Sequence, residues 1–170
     1  VKAPVDIREK VDKKITFDIA KGLAPKREIG FDVQALLDEG KPVEVEIGCG
    51  KGRFIIARAM ENPEINFMGI DRVIKWMKRR IEKAEKLGVK NLYLFKCDAR
   101  DLLAHIPKES VDVFHCYFSD PWPKKRHHKR RLINQEFMEL ISERLKLGGR
   151  LELATDYKEY FESMKSDSAS

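Results

Sequence analysis

A turn of three alternating glycines constrains the fold of this chain more than any other feature. The segment EIGCGKG places Gly48, Gly50 and Gly52 between VEVEI (43–47), which reads as a strand, and RFIIARAMEN, which reads as a helix. Glycines at this point permit a tight turn and let a ligand approach the backbone at the carboxyl end of the strand. The spacing differs from the dinucleotide fingerprint G-x-G-x-x-G/A and from the P-loop ending G-K-[ST], so a ligand without a polyphosphate is predicted.

Strands and helices alternate through the rest of the chain. The pattern predicts further strands at 65–70, 91–96, 111–118 and 150–155, and helices at 73–88 and 130–149. This alternation predicts a Rossmann-like, doubly wound parallel α/β sheet. Only DYKEYFESM and a polar tail follow the fifth strand, so one edge of the sheet would be open, and we expect the natural domain to carry further strands.

Composition bounds the class of protein and its partners. Residues 1–42 are charged and irregular and are predicted to form an N-terminal arm, followed by one domain over 43–165 and a polar tail over 166–170. The 170 residues carry a formal charge of +6, which suits a polyanionic partner. The three cysteines lack zinc-binding spacing, so we expect reduced thiols in a cytoplasmic protein without a bound metal. No apolar run reaches the length of a membrane span.

Four acids end four successive predicted strands. They are Glu46, Asp71, Asp98 and Asp120, and parallel strands would bring them to one edge of the sheet. Asp71 suits either a contact to ribose hydroxyls or a helix N-cap, and Asp98 suits either an adenine contact or a cap. Glu46 could accept a cationic amino group. Together the four acids predict a ligand site.

The order of these elements resembles the class I S-adenosylmethionine-dependent methyltransferases. The shared pattern is E-x-G-x-G-x-G, an acid after the second strand and D-A after the third, and it covers residues 43–155. The resemblance implies that S-adenosyl-L-methionine is the cofactor and that 43–165 is its binding domain. It specifies the superfamily without specifying a substrate.

The segment SDPWPKKRHHKRR (119–131) and the A-T-D that follows the fifth strand look like the tRNA (guanine-N7)-methyltransferase family. That resemblance implies methyl transfer to N7 of a guanine in tRNA, at position 46 of the variable loop, by a monomer or homodimer. It implies a catalytic Asp120 and substrate contacts from Lys124 and Asp156. The implied cofactor-binding residues are Glu46, Gly48, Gly50, Gly52, Asp71, Asp98 and Asp120. The implied RNA-binding residues are Arg126, His127, His128, Lys129, Arg130 and Arg131. Family members continue through two more strands and a T-x-x-E element that does not follow Thr155 here.

Other functions remain open from the residues alone. Asp120-Pro121-Trp122 is one proline short of the [DN]-P-P-[YFW] motif of exocyclic-amino methyltransferases, which act on adenine N6 or cytosine N4. Dense Lys/Arg favours guanine over these bases. A non-catalytic RNA-binding module would not need the four acids, and a NAD-dependent enzyme would need a different fingerprint. Trp122 could pack in the core or stack on a base. The basic cluster 75–80 is predicted to be the solvent face of a helix.

Overall fold

One parallel sheet organises the chain. The computed structural model describes residues 16–18, 33, 36, 37, 39–73, 82, 84 and 86–167. Its strands are β1 (Thr16–Asp18), β2 (Val43–Ile47), β3 (Asn66–Asp71), β4 (Leu92–Lys96), β5 (Val111–Tyr117) and β6 (Leu145–Ala154). They lie in the order β1-β4-β3-β2-β5-β6, and every neighbouring pair is parallel. The order reverses between β2 and β5, so the carboxyl ends of these two strands form the topological switch point where such sheets bind ligands.

Helices connect the strands. They are α1 (Arg53–Glu61), α2 (Ala99–Leu103), α3 (Gln135–Arg144) and α4 (Lys158–Asp167), with a 3-10 helix at Lys125–Arg130. α3 begins where the Asn134 side chain accepts a hydrogen bond from the Phe137 N–H at 3.0 Å. Residues 82, 84 and 86 are helical, as the predicted helix over 73–88 requires, although 74–81 and the basic cluster 75–80 lie outside the described residues. None of the described helices is long and apolar enough to span a membrane.

The two faces of the sheet bury different side chains. Val45 and Ile47 of β2 point into the larger apolar cluster, which also contains Phe137 of α3 and Tyr160 of α4. A smaller cluster on the other face surrounds Ile55 of α1. Since successive strand residues face opposite sides, Glu44 and Glu46 lie on the α1 face, where each is buried. The predicted parallel α/β architecture is therefore confirmed, with polar groups under α1.

A three-residue strand lies inside the predicted irregular arm. Thr16–Asp18 forms β1 and pairs with Leu94–Lys96 at the edge of the sheet. The sequence pattern does not predict this strand, because it is only three residues long and is defined by pairing with the distant strand β4. Most of the arm lies outside the described residues, and the division into 1–42, 43–165 and 166–170 stays a prediction.

The predicted helix over 130–149 is wrong at both ends. α3 spans only Gln135–Arg144, and the chain turns directly into β6 at Leu145. Gly148 has a φ of 80°, and the pairing register shifts between Val111–Leu145 and Val113–Arg150. The two glycines therefore make an irregularity within a strand, where the sequence analysis placed a helix end. The fifth predicted strand, 150–155, consequently starts earlier than expected.

Candidate active site

The glycine turn lies at the carboxyl end of β2. Gly48, Gly50 and Gly52 have φ values of 76°, 49° and 67°, a left-handed conformation that residues with a Cβ rarely adopt. The backbone N–H groups of Gly48 and Cys49 donate to the Ile70 carbonyl at 2.8 and 3.1 Å, which ties the turn to β3. A Cβ at Gly48 would meet none of the described atoms within 4 Å, so this glycine leaves open space beside the turn. The turn has room for a ligand against its backbone.

Glu46 is a buried carboxylate directly before this turn. Its side chain is 6% exposed, and among the described residues its Oε2 atom has no hydrogen-bond partner. Burial raises the pKa of Glu46 to about 7, while the charge of His115 and a hydrogen bond from the Ile55 backbone oppose the rise. Buried polar atoms in native proteins are nearly always paired, so an unpaired carboxylate oxygen at a switch point indicates a missing donor. A cationic ligand group would supply that donor.

A polar network that the sequence analysis missed lies beside Glu46 on the same face. His115 of β5 contacts Glu44 through Nε2 at 3.0 Å and the Tyr117 hydroxyl through Nδ1 at 2.8 Å. Arg58 of α1 donates to both carboxylate oxygens of Glu44, at 2.8 and 3.0 Å. Burial would raise the pKa of Glu44, but the hydrogen bonds from His115 and Arg58 outweigh it and lower that pKa. Alternating polar positions in β2 and β5 are the signal that could have revealed this network.

Asp71 and Asp98 both bond to backbone at the ends of their strands. Asp71 accepts from the Gly50 N–H through Oδ2 and from the Val73 N–H through Oδ1, each at 2.8 Å. It thereby fixes the glycine turn against β3. Asp98 caps α2 by accepting from the Arg100 N–H at 3.0 Å. The Asp98 bond matches its capping interpretation, whereas the start of the helix predicted after Asp71 lies outside the described residues. Each carboxylate keeps lone pairs for a ligand.

Asp120 lies in the loop after β5, on the other side of the switch point. Its side chain is exposed, and within the described part of the chain its carboxylate has no hydrogen-bond partner. Because β2 to β5 are parallel, the residues that follow them reach one edge of the sheet, so the four predicted acids share that edge. Lys124 and Asp156, after β5 and β6, are also exposed at this edge. The backbone is left-handed at Phe118 (φ 53°) and Trp122 (φ 45°) on either side of Asp120.

Trp122 is half-buried under the basic 3-10 helix, and it belongs to neither apolar cluster of the sheet. The Arg130 guanidinium lies 5.0 Å from its ring centroid, and the His127 ring meets it edge-on at 5.8 Å. The indole therefore lies outside the sheet's core and supports the helix, and base stacking by Trp122 stays a prediction. The side chains of Arg126, Lys129 and Arg130 are exposed, in the 3-10 helix that follows Asp120 in the chain.

The sequence profile of a family described as "Putative methyltransferase" matches residues 40–169. The match covers the glycine turn, all four acids and the basic helix. The chain belongs to this methyltransferase family. The family resemblance seen in the sequence is confirmed.

Curated relatives of this methyltransferase-family chain carry the name tRNA (guanine-N(7)-)-methyltransferase. The Wolbachia pipientis relative is 35% identical over 134 residues, which are 79% of this chain and 61% of the relative. The Acinetobacter baylyi relative is 41% identical over 123 residues, or 72% and 50% of the two chains. The Lactobacillus johnsonii relative is 40% identical over 140 residues, or 81% and 63%. The chain thus spans about half to three-fifths of the length of these relatives.

Solved methyltransferase structures share the fold. An antibiotic-related methyltransferase superposes with a TM-score of 0.60 at 20% identity, covering 82% of this chain and 72% of that one. A precorrin-6y C5,15-methyltransferase from Geobacter metallireducens gives 0.59 at 16% identity, covering 79% and 66%. At these identities the likeness establishes a class I methyltransferase fold, as the sequence predicts.

Arg131 requires a correction to the predicted RNA-binding run. Its side chain is 6% exposed, and its Nε donates to the Pro121 carbonyl at 2.8 Å. It lies inside the protein, so we remove it from the RNA-binding set. His128 is also engaged internally, with Nε2 at 3.1 Å from Arg131 and 3.3 Å from Glu159.

The three cysteines of the described chain are buried thiols. Cys49, Cys97 and Cys116 are buried and free, as predicted. Burial raises the pKa of Cys97 and Cys116 to about 12 and that of Cys49 further, so these thiols stay protonated near neutral pH. Among the described residues, no group of three His, Cys, Asp or Glu side chains could hold a metal ion.

Proposed function

We propose that this chain transfers a methyl group from S-adenosyl-L-methionine to N7 of a guanine in tRNA. The observation that carries the proposal is the arrangement at the switch point. The glycine turn and Glu46, whose Oε2 atom has no hydrogen-bond partner among the described residues, lie on one side, and Asp120 with the basic 3-10 helix lies on the other. The names of the curated relatives support the same reaction.

The residues at the end of β2 and β3 fit the proposed cofactor. S-Adenosylmethionine supplies a methyl group on a positively charged sulfur, and it also carries an ammonium group and ribose hydroxyls. Glu46 Oε2, which has no hydrogen-bond partner among the described residues, would accept from the ammonium group. Asp71, already fixed by Gly50 and Val73, has lone pairs left for the ribose hydroxyls. Asp98, which follows β4, would contact the adenine. The turn offers open space and lacks the G-K-[ST] ending of a phosphate-binding loop, which matches a cofactor without polyphosphate.

Asp120 would act on the acceptor side. Guanine N7 has a free lone pair, so its methylation requires no base to remove a proton. Catalysis then depends on holding N7 in line with the methyl group, which can contribute several kcal/mol. Positive charge moves to the purine during transfer, and the Asp120 carboxylate would stabilise it. Lys124, four residues later and exposed, suits a phosphate or the acceptor atoms of guanine.

The basic helix would bind the tRNA backbone. Arg126, Lys129 and Arg130 are exposed, with His127 beside them, and phosphate contacts of this kind add affinity with little sequence choice. Choice of the guanine, which we assign to position 46 of the variable loop, would come from tRNA shape and an accessible base. A tRNA substrate and free thiols fit a cytoplasmic protein, acting as a monomer or homodimer.

Nucleoside mass spectrometry tests the reaction. Unmodified tRNA is incubated with the chain and S-adenosylmethionine, with the longer Lactobacillus johnsonii relative as the positive control. We expect 7-methylguanosine, and methylated adenine or cytosine would instead support the exocyclic-amino alternative. If only the relative methylates tRNA, this chain does not perform the reaction by itself.

Asp120→Ala tests the assigned catalytic residue. We expect turnover to fall at least 100-fold, because the carboxylate that orients the base and stabilises its charge is gone. The melting temperature should stay within about 1 °C, since this exposed side chain makes no described hydrogen bond. Turnover near that of the unaltered chain would refute the assignment.

A further inference from the structure

Arg131 is a buried cation whose contacts all lie around the Asp120 loop. Its Nε donates to the Pro121 carbonyl at 2.8 Å, and its Nη2 lies 3.1 Å from Glu159 Oε1 on α4. The same guanidinium lies 4.9 Å from the centroid of the Tyr160 ring. A guanidinium committed to a carbonyl, a carboxylate and a ring is poorly placed to bind a phosphate. Its neighbour Arg130, by contrast, is exposed.

Tyr160 holds the other side of the same loop. Its side chain is fully buried, and its hydroxyl accepts a hydrogen bond from the Ile133 N–H at 3.1 Å. The Ser119 hydroxyl donates to the same oxygen at 3.3 Å. Ser119 and Pro121 are the two residues on either side of Asp120. The Arg131–Tyr160 pair therefore contacts the chain immediately before and immediately after the proposed catalytic carboxylate.

Few other contacts hold this part of the loop. The Phe118 N–H donates to the Ala154 carbonyl at 2.8 Å, which extends the pairing of β5 with β6 up to the loop. Beyond it, the Pro121 carbonyl accepts from Arg131, and Ser119 bonds to Tyr160 and to the Cys116 thiol of β5. Left-handed backbone at Phe118 and Trp122 is unfavourable for residues with a Cβ, so the surrounding contacts must impose it.

We propose that Arg131 and Tyr160 are positioning residues that fix the backbone on both sides of Asp120. Glu159 and His128 hold the guanidinium in turn, so α4 is coupled to the loop. The role of Asp120 itself rests on the proposed function, but the restraint on the loop does not. Small displacements of a reacting group can cost 100-fold in rate, so weakening this pair should slow transfer without removing any contact to tRNA.

The chain offers a matched control at Arg144. This arginine is also buried, its Nε donates to the Leu103 carbonyl at 3.0 Å, and it pairs with Glu143. It lies at the end of α3, where β6 begins, at the edge of the sheet opposite Asp120. Arg131→Lys and Arg144→Lys each keep a positive charge and lose a guanidinium bound to a carbonyl. A general loss of stability should therefore affect both variants alike.

Hydrogen exchange and kinetics on the two variants test the proposal. We expect Arg131→Lys to speed amide exchange in 118–124 at least tenfold and to lower kcat 10- to 100-fold. The tRNA Kd and its salt dependence should stay within twofold. Arg144→Lys should leave both the exchange of that segment and kcat unchanged. Equal exchange of 118–124 in the two variants would overturn the proposal, as would a weaker, less salt-dependent tRNA Kd at unchanged kcat.

Tyr160→Phe is the milder second variant. It keeps the ring under the guanidinium and removes only the hydroxyl that binds Ser119 and the Ile133 N–H. We expect kcat to fall three- to tenfold and amide exchange at 118–120 to become faster, as in Arg131→Lys. Unchanged amide exchange at 118–120 would count against the proposal. If the unaltered chain methylates no tRNA, the proposed function fails, while the exchange comparison still decides whether the pair restrains the loop.

Discussion

At the scale of single residues, Glu46 shows how the fold prepares for a ligand. A carboxylate that is 6% exposed and has one unpaired oxygen is costly for a protein without its ligand. The interaction with His115 lowers the pKa of Glu46, but burial dominates and the pKa rises to about 7. We interpret the unfavourable ionisation as the counterpart of a favourable contact to the cationic group of the cofactor.

Glu46→Gln should therefore remove the pH-dependent cost of burying this carboxylate and, separately, weaken cofactor binding. The folded pKa of about 7 exceeds the ordinary 4.5, so the contribution of this group to stability is fully present below pH 4.5 and is lost as the pH rises through 7. The loss is at most about 3 kcal/mol. In the cofactor-free chain, the variant should lose less unfolding free energy between pH 5 and pH 8, measured by urea denaturation. Its cofactor affinity at pH 8, measured by calorimetry, should fall tenfold or more. An unfolding free energy that depends on pH identically in the unaltered chain and in Glu46→Gln would contradict this prediction.

At the scale of elements, the segment from Asp120 to Arg131 carries basic side chains that point in opposite directions. Arg131 points inward and binds the loop, whereas the exposed residues of the 3-10 helix point outward above Trp122. Neighbouring basic residues in one run thus have different surroundings, and the outward set is exposed to solvent.

Reversing the outward charges should weaken tRNA binding alone. In Arg126→Glu/Lys129→Glu/Arg130→Glu we expect the tRNA Kd to rise at least tenfold at about 0.15 M salt, with a shallower dependence on salt concentration. Cofactor affinity should change less than twofold, because the turn at β2 is untouched. The matched control reverses Lys86, Lys90 and Lys108, which are exposed before β4 and β5 at the opposite edge of the sheet. Equal weakening in both triple variants would mean that total charge, and not this helix, binds tRNA.

The sequence predicts elements better than it predicts contacts within the site. The strands beginning at Val43 and Val111 are apolar runs with clear boundaries, and the observed bounds agree within a residue. Gly148 resembled a helix end because a local pattern cannot show that its neighbours pair with β5. The burial of Arg131 depends on Tyr160, almost thirty residues further along the chain. Such contacts are set by packing between distant segments, which periodicity and spacing do not report.

At the scale of the whole molecule, cofactor binding should stabilise the fold. A ligand at about 100 times its Kd adds roughly 2.7 kcal/mol, which is about 5–10 °C in melting temperature for a domain of this size. We expect this rise with S-adenosylmethionine in differential scanning fluorimetry and a clearly smaller rise for Glu46→Gln. NAD should give no shift, because the turn lacks the dinucleotide fingerprint. A shift with NAD and none with S-adenosylmethionine would contradict the assigned cofactor.

The order of the elements along the chain also decides which part of the proposed site is synthesised first. The glycine turn, Asp71 and Asp98 all precede β5 in the chain, whereas Asp120 and the basic helix follow it. Yet β5 is the strand that pairs beside β2, with His115 opposite Glu46. A nascent chain thus contains the proposed cofactor residues before the acceptor side exists, and the centre of the sheet stays open on one side until β5 leaves the ribosome. The last residues needed to restrain Asp120 emerge only with α4.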